Sequence, residues 1–364
     1  MPSSTSSSEP TQMIQYDRAL PHTSFGKPAL IAILTFLVLV GGWEVYWRLN
    51  DVEPSYRDIG GGLWTIERRR INQGEGHKTV LLGSSRILYN TQLDIWEQES
   101  GERPIQLALA GTSPLPAIES LADDPDFTGT LIVGVAPMVW ATEYLYYDST
   151  FGRFEHESPS KWIGQRISML FEPLLAFYNY DFALFAIIER QSWNVREGVS
   201  VPLPFRRLEI RDRDRNTRMW TKVEESEEYA KEFIDFWMEP FAMEGPPPPE
   251  MLAELKATGE DVIARSVIAV DKLEQRGVDV IFIRNPTSGG LAEVTEVVFS
   301  RAENWDVLIE RTGSLGLHYQ DHEEMQVYEL PEWSHMIGAD ADIYTKDLYH
   351  LVQRELTSHK AGGP

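Results

Sequence analysis

The sequence predicts an α/β fold: a three-layer sandwich whose mostly parallel sheet carries helices on both faces. One N-terminal membrane-spanning helix precedes it and a helical insertion interrupts it. Three observations carry that reading. Apolar runs of strand length at 78–83, 105–109 and 130–135 each contain a glycine or lead into one, at Gly83, Gly111 and Gly134. Helical patterns separate the first two runs, a helix-like stretch at 115–121 precedes the third, and a helix at 250–276 leads into a further strand at 278–284. Strand–helix alternation of this kind gives parallel pairing with helices on both faces. The third observation is a long uncharged run near the N-terminus.

Residues 1–26 are rich in Ser, Thr and Pro and read as a disordered tail. Lys27 precedes Pro28 to Trp43, sixteen residues without a charge. Extending the run to Trp47 gives twenty residues, which matches the ~20 needed to cross a bilayer core. Trp43, Tyr46 and Trp47 gather at its far end, as aromatics do at a membrane interface. The alternatives are a cleaved signal peptide and a buried core helix. A long leading segment and the poor cleavage site Gly41-Gly42-Trp43-Glu44 favour an uncleaved anchor over 27–48. The expected orientation leaves a short tail inside and the large domain outside. Residues 49–77 read as a connector, with Gly60-Gly61-Gly62 before a helical stretch at 63–72.

The α/β domain is expected over 78–137 and 250–357, with 138–249 as a mainly helical insertion. Within the insertion, 161–190 is dense in aromatic and aliphatic residues, but Arg166, Glu172 and Asp181 break any uncharged run and disfavour a second span. Two readings stand for it: helices packed on the core, or a surface that touches lipid, a membrane-protein partner or an acyl chain. The mixed-charge run at 206–218 reads as a solvated loop, and Pro246-Pro247-Pro248-Pro249 as a stiff extended joint.

With 364 residues the chain is long enough for a sizeable core. A formal net charge of −23 argues against nucleic-acid partners, which need clustered Lys and Arg. There is no cysteine, hence no disulfide, thiolate chemistry or Cys-based metal site. No Walker A or dinucleotide fingerprint is present, and no cofactor is expected.

Two segments carry candidate chemistry. Leu81-Leu82-Gly83-Ser84-Ser85-Arg86 is a strand running into a tight turn and then a helix. It lifts a hydroxyl to the carboxyl end of a strand, where parallel sheets bind ligands. Pro331-Glu332-Trp333-Ser334-His335 supplies a carboxylate three residues before a histidine. A serine needs a base to take its proton, and that base works best when a carboxylate orients it. Ser84 and Ser85 compete as nucleophile, and the plainer reading is that both hydroxyls cap the following helix. His335 is the candidate base and Glu332 its orienting acid, with Asp340 and Asp342 as lesser alternatives. Arg86 and Arg284 sit at strand ends, to hold an anionic substrate group or, preferentially, to form structural ion pairs. His318 and His322, beside Asp321 and Glu323, have a spacing that could hold a metal on a helix, but Leu317-His318-Tyr319 reads as a strand end, so no metal site is expected.

Gly83-Ser84-Ser85 resembles the first block of the SGNH (GDSL-like) hydrolases, whose last residue is the nucleophile. Glu332-Trp333-Ser334-His335 resembles their last block, Asp-x-x-His, with Glu for Asp. Leu107-Ala108-Leu109-Ala110-Gly111-Thr112-Ser113 resembles the second block. The likeness covers about 76–135 and 277–352 and is strongest to membrane-anchored bacterial SGNH-like proteins, some of which acylate cell-surface polymers. It implies Ser85 rather than Ser84 as nucleophile, and an oxyanion hole from the N–H groups of Gly111 and Ser85. It also implies short acyl esters of surface glycans as substrates, and a single-pass protein of the bacterial cytoplasmic membrane with its domain on the periplasmic or outer side. The family's third block carries an asparagine where this chain has Ala136-Pro137. Losing one oxyanion donor typically costs ~100–1000-fold. Two functions therefore remain open: a serine esterase or O-acyltransferase, and an inactive SGNH-like scaffold or accessory subunit of a membrane complex.

Overall fold

The computed structural model describes residues 24–189, 191, 207–242 and 248–362. The expected tail up to residue 23, and Pro246 and Pro247 of the proline joint, lie outside the described residues. The chain divides into two compact units, one ending at Tyr46 and one beginning at Trp47.

Helix α1 (Gly26–Arg48) is the one described helix long and apolar enough to cross a membrane. Its apolar side chains from Leu30 to Leu39 are exposed, and Trp43 stacks on Tyr46 with ring centroids 5.8 Å apart.

The second unit is built on a five-stranded parallel sheet of β1 (Val80–Gly83), β2 (Ile105–Gln106), β3 (Thr130–Gly134), β6 (Asp279–Arg284) and β7 (Leu315–His318), in the order β2-β1-β3-β6-β7. The strand order reverses between β1 and β3, the switch point at which such sheets open a crevice at their carboxyl ends. The apolar runs alternate sides, as a sheet covered on both faces requires. Leu81, Ile132, Ile281 and Ile283 face α3 (Ser85–Asn90), α4 (Leu93–Ser100) and α15 (Gly338–Gly362) through Ile87, Trp96, Tyr344 and Leu348. Val80, Leu82, Val133 and Phe282 face α2 (Gly62–Arg70), α5 (Leu115–Ala122), α12 (Pro249–Glu274) and α14 (Trp305–Thr312) through Trp64, Ile118, Val270 and Leu308. Helix α13 (Gly289–Val298) joins β6 to α14.

The insertion carries α6 (Pro137–Ala141), α7 (Asp148–Glu155), α8 (Pro159–Phe171), α9 (Leu184–Glu189), α10 (Thr221–Glu225) and α11 (Glu227–Met238). It also carries an antiparallel hairpin, β4 (Glu209–Arg211) and β5 (Thr217–Met219). The hairpin corrects the reading of 206–218 as a solvated loop; Arg206 itself lies outside the described residues. Arg207, Arg211 and Arg215 are buried. Arg215 donates to the carbonyls of Gln106 at 3.2 Å and Ala108 at 2.7 Å, and pairs with Asp58 at 2.9 Å. These charges lie inside because the end of β2 and the connector leave backbone carbonyls there, which a guanidinium fork satisfies.

Candidate catalytic site

Two glycines set the position of Ser85. Gly83 has φ 140°, and a Cβ on it would come within 2.6 Å of Ile87 Cγ2 and 2.7 Å of the Gly134 carbonyl oxygen. Gly134 pairs with Gly83 across β1 and β3, and its own Cβ would sit 2.8 Å from Ile87 Cβ. With neither Cβ present, α3 settles directly on the strand ends. Ser84 occupies the N-cap in extended conformation with no side-chain cap bond, and Ser85 is the first helical residue. Neither hydroxyl makes a hydrogen bond among the described residues, so the capping reading does not hold. Ser84 is buried and Ser85 half-buried.

Glu332 and His335 meet within one turn. Glu332 Oε1 accepts the His335 backbone N–H at 2.6 Å and lies 2.9 Å from Nδ1. Trp333, between them, has φ 70°, a left-handed conformation that costs a bulky residue about 1–3 kcal/mol. The β6–α13 loop holds it there. Ser288 N–H donates to the Trp333 carbonyl at 3.0 Å, and Gly289 leaves room for the indole, which a Cβ would approach to 2.3 Å. With Nδ1 donating to Glu332, the lone pair of His335 falls on Nε2, which is buried without a partner. Asp340 accepts the Glu329 N–H and Asp342 pairs with Arg218, so neither replaces Glu332.

The two segments, far apart in sequence, come together. Arg86 Nε donates to Ser334 Oγ at 3.2 Å, and the Tyr89 ring lies tilted over His335 with centroids 4.5 Å apart. Tyr89 O–H donates to Glu209 at 2.5 Å, and burial together with that carboxylate holds the phenol well above its usual range. Ser85 itself is not hydrogen-bonded to His335.

The dyad is closed from solvent. His335 and Glu332 are both 0% exposed, and Trp237 of α11 donates its indole N–H to Glu332 Oε2 at 2.5 Å, its ring 6.0 Å from His335. Nothing in the sequence singles out Trp237. The signal for it is local only, an aromatic on the amphipathic stretch 227–238, and nothing in that spacing points to Glu332.

Gly111 has φ 60°, and its N–H and that of Ser85 find no acceptor among the described residues. Ala136 caps α6 and offers no side-chain donor. Asn285, one residue past the end of β6, is buried with both side-chain amide atoms unpaired. Its alternation matches Ile283, which faces the layer containing α3 and α15.

The expected ion pairs of Arg86 and Arg284 do not form: neither has a carboxylate within 4 Å among the described residues. Arg284 donates to its neighbour's carbonyl, Asn285 O, at 3.1 Å and lies over Tyr319 at 5.9 Å. The strand ends leave each guanidinium facing backbone, hydroxyl and ring. Burial pulls Arg86 down to about 9, helped by repulsion from Arg284, and Arg284 down to about 10.

A cavity of about 240 Å³ opens beside the site, lined among others by Val135, Trp140, Arg284, His318 and Tyr319. Ser85, Gly111 and His335 do not line it. His318 ends β7, with 3₁₀ turns after it, so the four-residue spacing to His322 does not fall on an α-helix. Burial, then the Arg301 cation, push His318 down to about 3. Among the described residues no three His, Asp or Glu side chains converge as a metal site would require. No protein-family model, no curated protein and no solved structure matches the chain, so the site rests on its own residues.

Proposed function

We propose that the chain is a membrane-anchored serine esterase or O-acyltransferase whose site is closed in this conformation. The observation that carries it is the buried Glu332–His335 pair, which leaves Nε2 unpaired in the layer that receives Ser85. A buried polar atom without a partner costs about 1–3 kcal/mol, and a base waiting for a serine proton accounts for it. Once Trp237 moves aside, Ser85 attacks an ester carbonyl and passes its proton to Nε2, Glu332 steadies the imidazolium, and the N–H groups of Gly111 and Ser85 bind the oxyanion. Nε2 then returns the proton to the leaving alkoxide. Water as the next acceptor gives hydrolysis, and a sugar hydroxyl gives transfer. The unpaired Asn285 amide takes the donor role that Ala136 cannot fill. Short acyl esters of cell-surface glycans, the uncleaved anchor and the periplasmic or outer side of a bacterial membrane rest on the SGNH resemblance and on α1.

The second reading is an SGNH-like scaffold or accessory subunit of a membrane complex. It is favoured by Trp237 over the dyad and by Ala136 at the third block. A fluorophosphonate separates the two. Labelling of the full chain that disappears in both Ser85→Ala and His335→Ala supports the enzyme, because the pair acts as a unit. Equal labelling in wild type and Ser85→Ala removes it. Asn285→Ala, which leaves no hydrogen bond broken, should lower turnover by ~100-fold with little change in Tm.

A further inference from the structure

Helix α8 is built inside out. It buries Gln165 and Met169 and exposes Trp162 (45%), Ile163 (50%), Ile167 (51%) and Leu170 (67%). The segment that follows continues the pattern, with Leu174 62% and Phe185 78% exposed. Ile163, Ile167 and Leu170 share one helix face, and an exposed apolar face of this kind marks something that covers it.

The chain shows what lies next to it. Arg48 Nη2 donates to the Leu174 carbonyl at 3.0 Å, and the Trp47 ring packs 4.7 Å from Phe182. Trp47 and Arg48 open the second unit directly after the apolar run, so the segment that follows α8 packs on the residues at which the chain leaves that run. Its charge fits as well. In a chain of net charge −23, the accessible ions on α8 are Lys161 and Arg166, the latter stacked over Trp162 at 3.7 Å. Nearby Glu172 is buried, and Asp181 is half-buried. Apolar side chains flanked by cations suit an anionic lipid surface.

We propose that α8 and the segment through α9 lie in the headgroup region of the bilayer that α1 crosses, with anionic phospholipid as the occupant. The inference rests on α1 as an anchor and is independent of the serine chemistry. The face then holds the second unit against the membrane, on a surface the anchor alone does not supply.

The absence of cysteine makes the test direct. Full-length Leu170→Cys and Phe185→Cys, with the exposed apolar positions Val297→Cys and Val327→Cys as controls, carry a fluorophore in nanodiscs of equal phosphatidylcholine and phosphatidylglycerol. Nitroxide-bearing lipid should quench the first two several-fold more than the controls, and aqueous iodide should quench the controls more than the first two. Iodide quenching of all four in a chain that stays in the nanodisc overturns this surface and leaves the anchor standing. Labels at 170 and 185 shielded from both quenchers also overturn it, in favour of a second copy. Loss of the whole chain from the nanodisc removes the anchor and the surface together.

Discussion

Trp237→Phe separates a gated enzyme from a scaffold more sharply than loss of Ser85 or His335. Glu332 accepts the His335 backbone N–H, the imidazole N–H and the Trp237 indole N–H, at 2.6, 2.9 and 2.5 Å. Phenylalanine keeps an aromatic ring over the dyad but removes the third donor. A hydrogen bond to a charged group contributes about 1.5–3 kcal/mol. In the open form water hydrates that carboxylate oxygen in both variants, so the loss falls on the closed form. At about 1.4 kcal/mol per tenfold, the open form rises roughly 10–100-fold. The assay is the rate of fluorophosphonate labelling at Ser85, read beside thermal unfolding. The substitution should speed labelling by that factor while lowering Tm by a few degrees. If Tm falls and labelling stays at the Ser85→Ala background, Trp237 is part of a fixed core and the gated reading is refuted.

Other positions give independent checks. Gly134→Ala places a methyl 2.8 Å from Ile87 Cβ and lifts α3, at about 1–3 kcal/mol by chemical denaturation and with Ser85 labelling reduced; an unchanged midpoint would show that α3 does not rest on the glycine pair. Arg215→Met strands the carbonyls of Gln106 and Ala108 and takes from Asp58 its nearest cation, and should cost about 3–5 kcal/mol, whereas a solvated loop would lose almost nothing. His318 stays neutral in the fold down to about pH 3, while the unfolded chain takes up a proton near pH ~6.5. The stability it contributes is therefore complete above pH ~6.5 and drains away as pH falls toward 3. His318→Gln should flatten the acid side of the Tm–pH curve, and two parallel curves would contradict the assignment.

Local signals in the sequence translate directly into structure, and tertiary ones do not. The strands at 80–83, 130–134 and 279–284 are apolar runs cut by turn chemistry, so their type and parallel pairing follow from the alternation around them. Glu332 and His335 are three residues apart, and a single turn suffices to join them. Trp237 reaches Glu332 from an element 95 residues away, a relation no spacing encodes. The arginines of 207–218 look solvated because Asp212 and Asp214 stand among them, yet the hairpin turns alternate side chains inward to carbonyls that only the folded connector and β2 supply. For Arg86 and Arg284, strand-end position was legible. That no carboxylate among the described residues comes within 4 Å of either was not, since it depends on what five strands bring together.

Acid and base belong to the same turn, closed over the left-handed Trp333, and this has a consequence for motion. Three residues of chain keep the two side chains within reach of each other, and the β6–α13 loop braces the turn between them. Arg86 to Ser334 and Asn90 to Met336 tie this turn to α3, so carboxylate and imidazole reach the strand ends together. On the proposed function, alignment with Ser85 is then a matter of access and aim, with the Glu332–His335 pair already assembled.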